Sequence, residues 1–207
     1  MKQDSVIIGY SGHAYVLLEC LLSRHISVKG YCEKAPKNHN PYNLEYLGTE
    51  HDEAVLSLIT NMNVYIGIGN NKVRKDIYEF LKSHQIQMLP VMHAQAFVSG
   101  SVAVADACSV MPHAVINAQA SLGTGVICNT GCVVEHECKI GDFAHIAPGA
   151  VLAGNVKIGS NSFVGANATI KEGVTIGNNV VIGAGSVVIR DVPDNSKVVG
   201  NPQRIIH

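Results

Sequence analysis

Between Val98 and Pro193 the chain repeats every six residues without a slip. Sixteen hexapeptides open in register, from Val98, Val104 and Val110 through Ile182 to Val188, and every opener but Cys128 is aliphatic. Four residues after each opener stands a small residue, as at Ala114, Ala144, Val156 and Ser186. Glycine takes the second place six times, at Gly123, Gly141, Gly159, Gly165, Gly177 and Gly183. Neither helices nor sandwiches keep a period of six, so the repeat marks a solenoid. One large and one small residue of each hexapeptide face inward. Gly, Asn and Asp supply the left-handed backbone that a tight corner needs. One flat side per hexapeptide predicts a triangular coil of eighteen residues, with parallel strands stacked roughly 4.8 Å apart. The stretch is long enough for five to six coils.

The residues before the repeat read as alternating strand and helix, hence a small parallel α/β domain. Strands are expected at Ser5–Gly9, His25–Tyr31, Val64–Ile68 and Ile86–Leu89, and helices at Ala14–Leu22, Asp52–Thr60 and Lys72–Ser83. The polar stretch Ala35–Gly48 reads as a loop, and Pro90–Gln95 as a link to the solenoid. The domains are accordingly 1–90 and 91–207, the second ending in a short tail. Ligands of open α/β sheets sit beyond the carboxyl ends of the strands. Here those ends carry Gly9 to His13, Cys32 to Lys34 and Gly67 to Asn71.

Composition narrows the function. A formal net charge of −1 gives no electrostatic case for nucleic acid or an anionic membrane surface. No stretch is apolar enough to span a bilayer and no signal-peptide pattern opens the chain, so the expected location is cytoplasmic. Four of the six cysteines fall on inward solenoid places, where Cys packs as a small hydrophobe rather than as a metal ligand or disulfide partner.

Three blocks resemble the bacterial PglD/NeuD group of sugar acetyltransferases: Gly9-Tyr10-Ser11-Gly12-His13, the run from Gly67 to Arg74, and the run from Asn129 to Gly159 with Glu135-His136-Glu137-Cys138 and Ala144-His145-Ile146 inside it. Gly200-Asn201-Pro202 matches the family tail, although Gln203 stands where relatives usually carry alanine. The resemblance implies a Rossmann-like nucleotide-sugar domain followed by a left-handed β-helix, assembled as a homotrimer with active sites between neighbours. It is strongest to PglD-type enzymes, which use acetyl-CoA to acetylate the 4-amino group of a UDP-linked 4-amino-4,6-dideoxy sugar; close relatives use dTDP-sugars. It further implies that Ser11, Gly12, His13, Gly69 and Asn70 contact the nucleotide-sugar. Many relatives end the second strand in two acids. Here Glu33 and Lys34 stand there, which leaves the base and sugar preference open.

Acetyl transfer to an amine needs a base and donors for the thioester oxyanion. His136, at an outward third place between Glu135 and Glu137, is the candidate base, with either carboxylate as its partner. Gly154 lies eighteen residues on, so it sits beside His136 on the next coil and leaves room for a pantetheine arm. The family match places the catalytic histidine at His136, a coenzyme contact at Gly154 and a residue near the transferred group at Asn129. His145 lies near another edge, where the implied trimer lets it face a neighbour's His136. Gly200, Asn201 and Pro202 are expected to close over the coenzyme, and Arg204 to meet one of its phosphates. Three other functions compete: sialic acid O-acetylation, a nucleotide-sugar sensor without activity, and a β-helix zinc carbonic anhydrase using His113, His136 and His145. The last lacks the closely spaced histidine pair of that class, and no metal is expected.

Overall fold

The computed structural model describes residues 4–206, so positions 1–3 and 207 of the two expected domains lie outside the described residues. The N-terminal layer holds four parallel strands, β1 (Ser5–Ile8), β2 (Gly30–Cys32), β3 (Glu45–Gly48) and β4 (Asn63–Ile66), in the order β3-β2-β1-β4. Helices α1 (Gly12–Ser23), α2 (Glu53–Ile59) and α3 (Asn71–Ser83) connect or flank them. The order reverses between β1 and β4, which puts the ligand crevice of such sheets at Gly9 and Gly67.

Three local expectations need correction. β3 lies within the polar stretch expected to be loop, because Tyr46 and Leu47 carry its few apolar contacts. β2 is shorter and later than expected: Lys29 N–H bonds Ser5 O ahead of the strand, and regular pairing begins only at Gly30. The expected strand at Ile86–Leu89 reduces to one parallel bridge, Val64 to Met88.

The solenoid begins one hexapeptide before its expected start: Val91–Met92 already pairs with Ser109–Val110. Two-residue strands then build three parallel sheets, one per side of the triangle, with partners eighteen residues apart, as Ile127 with His145 and Val133 with Val151. We call face I the sheet holding Ile127–Cys128, face II that of Val133–Val134 and face III that of Lys139–Ile140. From Val110 to Val188 every opener is at most 3% exposed, so one column of side chains fills the coil. At roughly 1.5–3 kcal/mol for each large aliphatic group, this burial is the main source of the solenoid's stability.

Glycine has two roles in the coil, of which the sequence suggests the first. Left-handed backbone occurs at the fourth place, where Gly125, Gly131, Gly149, Asn155, Asn161 and Asn167 have φ between +54° and +68°. The second-place glycines serve close approach. A Cβ on Gly141 would lie 2.7 Å from Ser160 N and one on Gly165 2.6 Å from Ala184 N, both backbone atoms of the next coil.

The N-terminal layer packs on face I and on the edge between faces III and I. Its tie is Arg74 of α3, 1% exposed and, among the described residues, paired with no acid. Its Nε donates to Gly125 O at 2.8 Å; Nη1 donates to Ile68 O and Gly69 O; Nη2 donates to Phe143 O at 2.8 Å and Asn71 Oδ1 at 3.0 Å. All five N–H bonds of the guanidinium are thus used. Phe143 completes the junction by packing edge-on against Tyr78. The solenoid ends beyond Pro193, where Lys197–Val199 continues face I and turns back antiparallel into Arg204–Ile206. No described helix is long and apolar enough to cross a membrane.

Arg74→Met should leave four carbonyls without their donor, at roughly 1–3 kcal/mol for each that water cannot reach. Thermal melts should show a loss of about 3 kcal/mol or more, and Arg74→Lys, with three donors on one point, should not restore it. A melting temperature unchanged by Arg74→Met would show that the clamp contributes nothing.

Candidate functional site

The β-helix presents His136 on the edge between faces II and III. The side chain is 60% exposed, and its Nδ1 lies 3.1 Å from Glu137 Oε2. Glu137 holds φ +61°, an uncommon conformation for a residue with a side chain. That fourth-place corner turns its carboxylate back onto the ring. Glu135 is half-buried and, among the described hydrogen bonds and ion pairs, makes none with the imidazole; its own N–H bonds Leu152 O. A Cβ on Gly154 would stand 2.5 Å from Nε2 and Cε1 of His136, so the ring lies flat against the glycine. The Gly154 N–H bonds no described residue, whereas those of Ala153 and Asn155 are both used.

A second group forms where the α/β layer meets face I. His145 is 8% exposed and stands between His13, at 6.2 Å between ring centres, and Phe163, at 5.1 Å. Asn129 Oδ1 accepts from Thr130 N, which turns Nδ2 toward His145 Nε2 at 3.0 Å. Nε2 is therefore the acceptor and Nδ1 carries the proton. That buried Nδ1, like the buried Nε2 of His13, has no hydrogen-bond partner. Burial lowers the pKa of His145 to about 3, aided by the charge of Arg74 and by His13. The Gly69 carbonyl opposes the shift but lies outside hydrogen-bond geometry. Burial, then Arg74, brings His13 to about 4. Two neutral rings, each with one unused nitrogen, thus stand side by side where the layers meet.

The third group is a cavity of about 400 Å³ beyond the carboxyl ends of the strands. Ser11, Glu33, Lys34, Gly69 and Asn70 line it, as do Glu50 and His51 after β3. Gly12 and His13 lie off its lining; α1 turns His13 toward His145 instead. Ser11 precedes α1 without a side-chain cap, so the first N–H groups of that helix are open to an anion. Glu50 and His51 carry no sequence signal, because they follow a strand that the polar stretch conceals. A larger cleft of about 620 Å³ continues past Asn70 and Lys72 to Phe163.

The tail turn caps the edge that carries His136. Gln203 Oε1 accepts from Arg190 N and its Nε2 donates to Arg190 O, both at 2.8 Å. Gly200 N bonds Ser186 Oγ. Arg190 lies three coils above His136, roughly 14 Å at the strand spacing of a sheet. Gly200, Asn201 and Pro202 are therefore brought to the end of the groove that begins at His136. The histidines suggested for zinc do not converge: His113 is on edge I/II, His136 on edge II/III and His145 on face I. Among the described residues no three metal-binding side chains gather.

Comparison with known proteins agrees with both layers. Residues 5–81 match the PglD N-terminal domain family, and 155–190 the bacterial transferase hexapeptide family. The acetyltransferase domain of PglB from Neisseria gonorrhoeae FA1090, solved with acetyl coenzyme A, is 30% identical with a TM-score of 0.93, covering 100% of both chains. PerB from Caulobacter crescentus, solved with CoA and GDP-perosamine, is 33% identical with a TM-score of 0.92, over 99% of this chain and 97% of that one. The GDP-perosamine N-acetyltransferase of Escherichia coli O157:H7 is 32% identical over 83 residues, 40% of this chain, so the match spans only 38% of that curated relative. The β-helix is left-handed, and the chain belongs to the PglD family of sugar acetyltransferases.

Proposed function

We propose that the chain transfers the acetyl group of acetyl-CoA to the amine of a nucleotide-linked 4-amino-4,6-dideoxy sugar. The observation that carries this reading is the Glu137–His136–Gly154 arrangement on an open edge, with an anion-receptive cavity on the second layer. His136 Nε2 takes a proton from the attacking ammonium or amine, and Glu137 on Nδ1 stabilises the imidazolium that forms. The amine attacks the thioester carbonyl, its nitrogen–carbon bond forms and the carbon–sulfur bond breaks. The coenzyme leaves as thiolate and can take the proton back from His136. The open Gly154 N–H supplies a donor for the oxyanion. The pantetheine arm runs up edge II/III toward the tail turn, where Arg190 and Arg204 carry positive charge for phosphates.

The active unit is a homotrimer. In one chain the nucleotide cavity belongs to the layer over face I, whereas His136 stands on the edge opposite that face. A neighbouring β-helix brings a second His136 edge to the cavity, with His13, His145 and Asn129 around the sugar amine. Sialic acid O-acetylation fits less well, because the strand-end cavity with α1 open to an anion favours a nucleoside diphosphate.

His136→Ala should lower kcat about 10²–10⁴-fold on the correct amino sugar. The loss should shrink at high pH, where more of the amine is already unprotonated; near-wild-type kcat would remove the mechanism. Mixed trimers give a sharper test of the shared site. Unfolded and refolded together, His136→Ala subunits and Ser11→Glu subunits should regain measurable activity that neither has alone, and no recovery would argue for a site within one chain.

The neutral histidine pair predicts acid sensitivity. The unfolded chain protonates both rings below about pH 6.5, whereas the native rings resist until about pH 4 and pH 3. Stability contributed above pH 6.5 is therefore lost as pH falls toward 4. His13→Gln should flatten that slope in melts between pH 7 and 4; an unchanged slope would mean the ring is not buried neutral.

A further inference from the structure

One group in the nucleotide cavity is left over from this account. Glu50 follows β3, is 6% exposed and lines the cavity, and no described donor hydrogen-bonds its carboxylate. Among the described ion pairs its partner is the exposed His51 ring, with Nε2 3.7 Å away. The neighbouring acid differs. Glu33 is paired with Lys37 at 3.3 Å and accepts from its neighbour's backbone, Lys34 N. Glu50 is therefore an acceptor at the cavity wall, and its oxygens, which are not among the sealed-off polar atoms of the described residues, lie within reach of a ligand's donors.

Its place across the sheet says which part of the ligand that is. The phosphate-receptive turns lie at the ends of β1 and β4, at Gly9–Ser11 and Gly69–Asn70. Glu33 stands at the end of β2, the strand end whose acid in such sheets meets ribose hydroxyls. Glu50 lies beyond β3, two strands from β1 and so roughly 10 Å away at sheet spacing. A nucleotide laid across these ends with its phosphates at β1 puts its ribose at β2 and its base at β3. There the base meets an acceptor with two oxygens and no donor. Guanine alone among the common bases presents two adjacent donors, N1–H and the 2-amino group. Uracil and thymine flank one N–H with carbonyls that a carboxylate repels. Adenine and cytosine set their amino group beside a ring-nitrogen acceptor.

We propose that Glu50 reads the nucleobase and that the sugar substrate is guanosine-linked, not uridine- or thymidine-linked. This rests on the reading of the cavity as the nucleotide-sugar site, and it narrows the substrate class of that site.

Calorimetric titration of the full chain with GDP, IDP, UDP and dTDP tests it. GDP should bind roughly 10–100-fold tighter than UDP or dTDP, the range of one good bidentate base contact. IDP, which lacks only the 2-amino group, should fall about 10-fold below GDP. Glu50→Gln should weaken GDP and leave UDP unchanged, so that the preference collapses, whereas Glu33→Gln should weaken the three ribonucleotides GDP, IDP and UDP alike. UDP or dTDP binding as tightly as GDP, IDP equal to GDP, or Glu50→Gln weakening every nucleotide equally would overturn the proposal alone. Failure of all four to bind would overturn it together with the nucleotide-sugar reading. The GDP-to-IDP ratio needs no variant, so the proposal stands or falls even if Glu50→Gln does not fold.

Discussion

A single cation buried among carbonyls holds the two layers in one arrangement. Arg74 spends every donor on backbone or amide oxygens from two coils of the β-helix, the turn after β4 and its own helix. Burial lowers its pKa to about 10, which leaves it charged at neutral pH. With no acid in the pocket, that charge is felt by the groups around it. His13 and His145 are kept neutral partly by it, so the same side chain that docks the layers sets the protonation of the rings between them. Geometry and electrostatics of the junction thus share one origin.

The β-helix was legible because its rule is local and repeated. An inward column at every sixth residue is visible without knowing where the corners fall, and the sequence does not say which place of the six turns them. Left-handed backbone is not confined to glycine here: Glu137 and Phe143 adopt it too, held by the coils above and below. Among the candidate site residues, the arithmetic of the repeat put Gly154 beside His136, whereas His145, expected near an edge, lies buried on face I beside His13 of the same chain. The α/β layer was legible only in outline. β3 and the Glu50 that follows it lie in a polar stretch whose strand character comes from pairing with β2, not from its own sequence. Arg74 was visible as part of a motif, but nothing in the chain announces that its partners are carbonyls 51 and 69 residues away.

The departure at the tail has a structural role. Gln203, directly after the Gly200-Asn201-Pro202 turn, closes three hydrogen bonds to Ile189 and Arg190. The side chain seals the last coil, whose strands would otherwise present open edges to solvent. The same turn fixes where the groove above His136 stops.

That groove has a length set by counting. His136, Gly154, Glu172 and Arg190 occupy equivalent corners of successive coils, so the track from base to tail grows only in steps of one coil, roughly 4.8 Å. A β-helix of this kind is a ruler with coarse divisions. Inserting eighteen residues between Gly154 and Arg190 would preserve every inward contact and every corner, yet move the tail a full division away from the base. Natural change in acyl-donor reach can therefore come by whole coils without disturbing the chemistry at the lower end, whereas a deletion of even one residue would throw the column above it out of register.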